Sequence, residues 1–243
     1  MIPRITGRFD LVVSLGQSCQ VAYQLKRRGL RSKSGPFDWF TVSIDALLSL
    51  LTTDFRDFML RENLVVVENR SGKLVVRDTL TTVRSLHDFY SESKETSEIV
   101  GYEAFRLKID RRVASFRKDI ASSPSMLFVR YGITREQSIA LYSLLDEIRH
   151  GKRTALLVAA DSDEMEEDWQ LDNIYPVRLR FPKGRWKGNN KEWDKALGSV
   201  KLKNPTMRHL KNRFECHPVT EKILKHIEIL RFGPLKYDSK RLL

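Results

Sequence analysis

Two periodicities divide the chain. Phe9 to Leu15 (FDLVVSL), Met126 to Tyr131 (MLFVRY) and Thr154 to Ala160 (TALLVAA) are near-continuous apolar runs, each of the length of a strand buried on both faces. Val177 to Phe181 reads as a further strand of the same set. Elsewhere apolar positions recur every three or four residues: Val21, Ala22 and Leu25 after Ser18, then Phe105, Ile109, Val113, Phe116 and Ile120 between Tyr102 and Pro124. That spacing predicts helices, the first stopped by Gly29. Thr134 and Gln137 form a capping box for a helix running through Arg149, with Gly151 ending it. Ile44 to Leu51 predicts a short buried helix and Pro218 to Leu230 an amphipathic one.

A different pattern occupies the segment between. Asn63–Val67 and Lys73–Val76 flank Asn69, Arg70, Ser71 and Gly72, which predicts a β-hairpin. Continuous apolar strands alternating with helices predict an α/β fold. The expectation is a single domain over residues 1–243, with a mainly parallel central sheet flanked by helices. The hairpin, about 63–77, is an insertion or an antiparallel edge, and a basic C-terminal region covers about 183–243.

Composition narrows the function classes. With 41% hydrophobic and 30% charged residues over 243 positions, the chain can bury a core without a metal or disulfide staple. No apolar run approaches the roughly 20 residues of a membrane-spanning helix. The opening MIPRITGRFD lacks the apolar stretch of a signal peptide. Two cysteines, Cys19 and Cys216, are too few for a disulfide framework, and a reducing, cytoplasmic setting is expected. The net charge of +12 bears on partners rather than fold. It is densest from Lys183 to Arg213, where Trp186 and Trp193 lie among lysines and arginines, a mixture able to stack on and neutralise an anionic polymer. No helix-turn-helix, zinc-finger or RNA-recognition signature accompanies it.

The sharpest chemical feature is Leu15-Gly16-Gln17-Ser18-Cys19-Gln20 at a strand-to-helix turn. A thiol at a helix N-terminus feels the positive end of the macrodipole, which is expected to lower its pKa and raise the nucleophilic thiolate fraction. The same backbone N–H groups can stabilise an oxyanion, with Gln17 and Ser18 in supporting positions. A thiol nucleophile needs a base, and His87 in LHDF is the first candidate. Asp38 in PFDW can orient an imidazole or simply cap a turn, whereas Asp88, adjoining His87, points the other way on a strand. His217, in Cys216-His217-Pro218 before the last helix, is the alternative base, while His209 and His226 lie among lysines. The acidic run Asp161, Asp163, Glu164, Glu166, Glu167 and Asp168 fits no calcium loop, and the two distant cysteines make no zinc motif. No cofactor and no metal are expected.

The combination has a recognisable form. VVSLGQSCQVAYQLKRRGLRSKSGPFDWF resembles the opening signature of a family of papain-like cysteine peptidases: a strand, LG-x-x-C, A-x-x-L-K-R and S-x-PFDW. LHDF, MLFVR and WKGNNKEW follow in the same order, so the resemblance spans roughly Phe9 to Trp193. It implies a thiol hydrolase with Cys19 as nucleophile and His87 as base. A partial second resemblance joins the two ends of the chain. A strand followed by Gly16-Gln17-Ser18, with His217-Pro218 before the last helix, is similar to SGNH/GDSL hydrolases, and the G-x-x-C-Q spelling to polysaccharide-biosynthesis proteins.

The leading expectation is therefore a cysteine-dependent hydrolase or acyl-transfer enzyme acting on a peptide, ester or glycan-linked acyl group. Alternatives are an SGNH-like esterase or acetyltransferase acting on glycans, and a non-catalytic module holding an anionic polymer on residues 183–213.

Overall fold

The computed structural model of the chain describes residues 5–91, 98–161, 168–180 and 186–206. The helix expected over 218–230, with Cys216, His209, His217 and His226, lies outside the described residues, as do Phe181, Lys183, Arg185 and most of the acidic run. The chain opens with two short strands, β1 (Gly7–Phe9) and β2 (Leu11–Ser14), then α1 (Cys19–Arg27), β3 (Phe40–Thr41) and α2 (Ile44–Thr52). One 3₁₀ turn (Arg61–Asn63) precedes β4 (Leu64–Arg70), β5 (Lys73–Asp78) and β6 (Arg84–Tyr90). There follow α3 (Tyr102–Ser122), β7 (Ser125–Tyr131), α4 (Arg135–Ile148), β8 (Arg153–Ala160), β9 (Ile174–Arg178), α5 (Asn190–Leu197) and β10 (Val200–Leu202). No helix among the described residues is long and apolar enough to cross a membrane.

The α/β expectation is met by a four-stranded sheet ordered β2-β7-β8-β9, every neighbouring pair parallel. Its strands are continuously apolar because both faces are covered. Alternate residues of β7 divide between two cores: Met126 and Phe128 enter one, Leu127 and Val129 the other. The first core receives α2, α3 and α4 through Leu47, Phe105, Ile109, Val113, Phe116, Leu141 and Leu145. The second receives α1 through Val21 and Leu25, and α5 through Trp193 and Leu197. The Thr134–Gln137 capping box is present in both directions at the start of α4.

Three boundaries differ from the sequence reading. The run Phe9–Leu15 is broken at Asp10, whose backbone N–H donates to the carbonyl of Ser125 and whose carboxylate accepts from the Ser125 N–H at 3.0 Å and from Lys203 at 3.0 Å. The short β1 before it leaves the main sheet and pairs in parallel with β10. The last parallel strand begins at Ile174 and not Val177, with Pro176 inside it. A proline is tolerated there because β9 is, among the described residues, an edge strand with one unpaired side. The stretch around Trp193 is the helix α5, and Trp193 is fully buried.

The hairpin is more than an insertion. β4 and β5 are the outer pair of a second four-stranded sheet ordered β3-β6-β5-β4, antiparallel throughout. Leu74, Val76 and Phe89 carry this sheet into the core shared with α2, α3 and α4.

Candidate active site

The turn after β2 is shaped by two consecutive left-handed residues, Gly16 at φ 77° and Gln17 at φ 73°. Glycine is required at the first, since a Cβ there would stand 3.1 Å from the Phe37 carbonyl oxygen. Ser18 follows as the N-cap of α1, its hydroxyl accepting from the Gln20 N–H, and Cys19 is the first helical residue. The Ser18 hydroxyl is thus engaged in capping. Gln17 extends its side chain toward Gly132, just beyond the end of β7.

Arg130, on β7, holds this turn from beneath. Its guanidinium donates to the Leu15 carbonyl at 2.7 Å and to the Val42 carbonyl at 2.7 Å, joining the chain before Cys19 to the chain after PFDWF. Arg130 is almost fully buried, and desolvation lowers its pKa to about 10.

PFDWF divides its work residue by residue. Phe37 and Phe40 enter the core. Asp38, fully buried, pairs with Arg31 and accepts the Gly35 N–H at 2.9 Å. Trp39 adopts a left-handed φ of 71° and presents its ring edge-on to His87, with centroids 6.3 Å apart. Asp38 therefore serves the Arg31 loop; it does not meet the imidazole.

His87 arrives from the second sheet. β6 pairs with β5 at Ser85↔Val76 and again at Phe89↔Leu74, so three residues, Leu86 to Asp88, oppose Val75 alone. This bulge interrupts the alternation of faces and re-aims the imidazole. The result is a contact of 3.6 Å between Cys19 Sγ and His87 Nε2. The outer nitrogen, Nδ1, lies 2.9 Å from the Nζ of Lys73, the first residue of β5. Asp88 turns elsewhere, accepting from Ser85 Oγ at 2.6 Å and pairing with Lys108.

The electrostatics correct one expectation. The Cys19 thiol is raised to about 11, chiefly by burial, with the negative charges of Asp38 and Asp88 adding to the shift. Its own backbone N–H at the helix start and the Lys73 ammonium oppose this, and they lose. The helix terminus alone is too weak against desolvation of a residue only 9% exposed. His87 is held below the ordinary imidazole value, by burial and then by Lys73, while Asp88 works in the opposite direction. The resting pair is a thiol facing a neutral imidazole.

Of the basic stretch 183–213, residues 186–206 are described, and its two tryptophans take different places. Trp193 is in the core, and Trp186, 54% exposed, packs edge-on to Tyr23 with Lys187 over both rings. Among the described residues, no three His, Cys, Asp or Glu side chains gather as a metal site would require.

Lys73 and Arg130 carry no role in the sequence reading. Arg130 had a local signal, a lone cation closing the apolar run MLFVR. Lys73 had none, because its partner is made by strand pairing.

A family model described as "putative papain-like cysteine peptidase" matches residues 10–159, which include Cys19, Asp38, Lys73, His87 and Arg130. An uncharacterized protein of Acanthamoeba polyphaga mimivirus is 29% identical over 221 residues, covering 77% of this chain and 96% of its own length. No solved structure matches the chain.

Proposed function

Since the chain belongs to the family described as "putative papain-like cysteine peptidase", we propose that it is a cysteine-dependent hydrolase of peptide bonds, with Cys19 as nucleophile and His87 as general base. The observation that carries the proposal is the 3.6 Å approach of Cys19 Sγ to His87 Nε2, two side chains delivered by different sheets. Because the thiol is raised and the imidazole lowered, a preformed thiolate–imidazolium pair is disfavoured. Proton transfer accompanies attack.

As Sγ bonds to the carbonyl carbon, the thiol proton passes to Nε2 and the carbonyl π pair moves onto oxygen. The Cys19 backbone N–H, unpaired within the first turn of α1, meets that oxyanion, with Gln17 beside the turn. Collapse breaks the C–N bond, and the departing amine takes the proton from Nε2. Water then loses a proton to the same nitrogen as it attacks the thioester, and the released sulfur recovers that proton.

Labelling by a peptidyl vinyl sulfone tests the reading. Cys19→Ala should abolish it and His87→Ala should slow it by about 100-fold or more, each with the melting temperature nearly unchanged. Undiminished labelling of Cys19→Ala would end the proposal.

A further inference from the structure

The mechanism needs a lone pair on His87 Nε2, and the Lys73 contact withholds it. An ammonium has donors and no acceptor, so at 2.9 Å Nζ can only donate to Nδ1. The neutral ring must then carry its single proton on Nε2, facing Cys19, where it donates toward sulfur and cannot accept from it. The same ammonium opposes an imidazolium, so a second ring proton does not relieve the block. Catalysis requires Nζ to leave Nδ1.

Lys73 stands in a place from which a substrate group could draw it. It is partly exposed at the start of β5, beside the turn at Gly72, and His87 is open to solvent on one side. Among the described residues its ammonium meets no carboxylate. The chain as a whole carries a net charge of +12, which favours encounter with anionic ligands.

We propose that Lys73 is the specificity-determining residue of the site, and that the substrate is a peptide with a carboxylate next to the scissile bond. That carboxylate takes Nζ from His87. Nδ1 then gains a proton from water while Nε2 releases one, a change of tautomer with no net proton uptake, and Nε2 becomes the acceptor for the Cys19 thiol. Peptides without the acidic group leave the imidazole in its blocked tautomer. This rests on the Cys19–His87 reading above.

Iodoacetate and iodoacetamide, which differ in a carboxylate against an amide, test it at Cys19. The thiol sulfur displaces iodide from each, and peptide mapping by mass spectrometry follows the Cys19 product alone. The ratio of the two rates should exceed that of the urea-unfolded chain and fall about tenfold in Lys73→Met, while Lys73→Arg keeps it. In the unaltered protein the ratio should also fall with added salt, since an exposed cation is screened. A ratio unchanged in Lys73→Met, or one as salt-insensitive as in the unfolded chain, overturns the assignment. Where the variant does not fold, a salt-insensitive ratio in the unaltered protein still overturns the assignment. His87→Ala separates the two ideas: if iodoacetate, whose carboxylate draws Nζ away and frees the imidazole, reacts with Cys19 at the same rate without that imidazole, the Cys–His pair fails, whatever the ratio says of Lys73.

Discussion

The two four-stranded sheets differ in regularity, and each contributes half of the site. The parallel sheet β2-β7-β8-β9 pairs without a register shift, and both its faces are buried. The antiparallel sheet has register shifts in both of its longer pairings, between Val66 and Glu68 and between Leu74 and Val76. It also exposes Val65, Val67 and Tyr90. The regular sheet places Cys19, beyond the end of β2 in a turn tied down by Arg130 from the neighbouring strand. The irregular one places His87 and Lys73, with the imidazole aimed by the bulge. A strand covered on two faces leaves little choice of where its end lies. A strand with one solvated face can accept extra residues, and an extra residue redirects a side chain.

The largest break in this division comes at Asp38, which lies between the two sheets. Asp38→Asn should cost about 3 kcal/mol, because it removes the negative charge that faces the Arg31 guanidinium in a buried setting. Urea unfolding reads the loss, and the molecules that remain folded should still show the dependence of Cys19 labelling on His87. A stable variant that loses only its labelling rate would instead make Asp38 the orienter of the imidazole.

A smaller effect distinguishes the buried Cys19 from the more exposed His87. The folded Cys19 thiol, raised from 9.0 to about 11, keeps its proton where the unfolded chain has lost it. The sign follows from proton binding. Stability is fully present below pH 9, declines as pH rises, and has lost up to about 2 to 3 kcal/mol above pH 11. Cys19→Ala should flatten that part of the stability–pH curve, and iodoacetamide alkylation of the intact protein should rise with a midpoint near 11. A midpoint below 9 would mean that the helix terminus and Lys73 outweigh burial.

The smallest expected effect lies at the hairpin. Gly72 has φ 91°, and a Cβ there would stand 3.0 Å from the Ser91 carbonyl oxygen. Gly72→Ala should cost about 1 kcal/mol in urea unfolding, mostly from the left-handed conformation. A loss within error would show that the turn beside Lys73 shifts without penalty.

Much of the architecture was legible along the chain, and for stated reasons. Met126–Tyr131 and Thr154–Ala160 are apolar at every position because both faces of the central sheet are covered, and α3 and α4 announce themselves by spacing and by the Thr134 box. Gly16 and Cys19 stand out because a strand-to-helix turn is local. The second sheet was half legible: its hairpin shows in the turn residues, but β3 is two residues long and the bulge in β6 has no local signature. Trp193 reads as a surface aromatic among lysines until α5 turns it inward. What the chain determined alone is therefore what short-range order requires: the strand, the tight turn, and the thiol at the start of the helix. Tertiary structure decided the chemistry around that thiol. Which nitrogen meets sulfur, which cation meets the other, and whether burial or the helix end governs the thiol's proton all depend on distances between residues from separate sheets, and such distances arise only when the sheets pack.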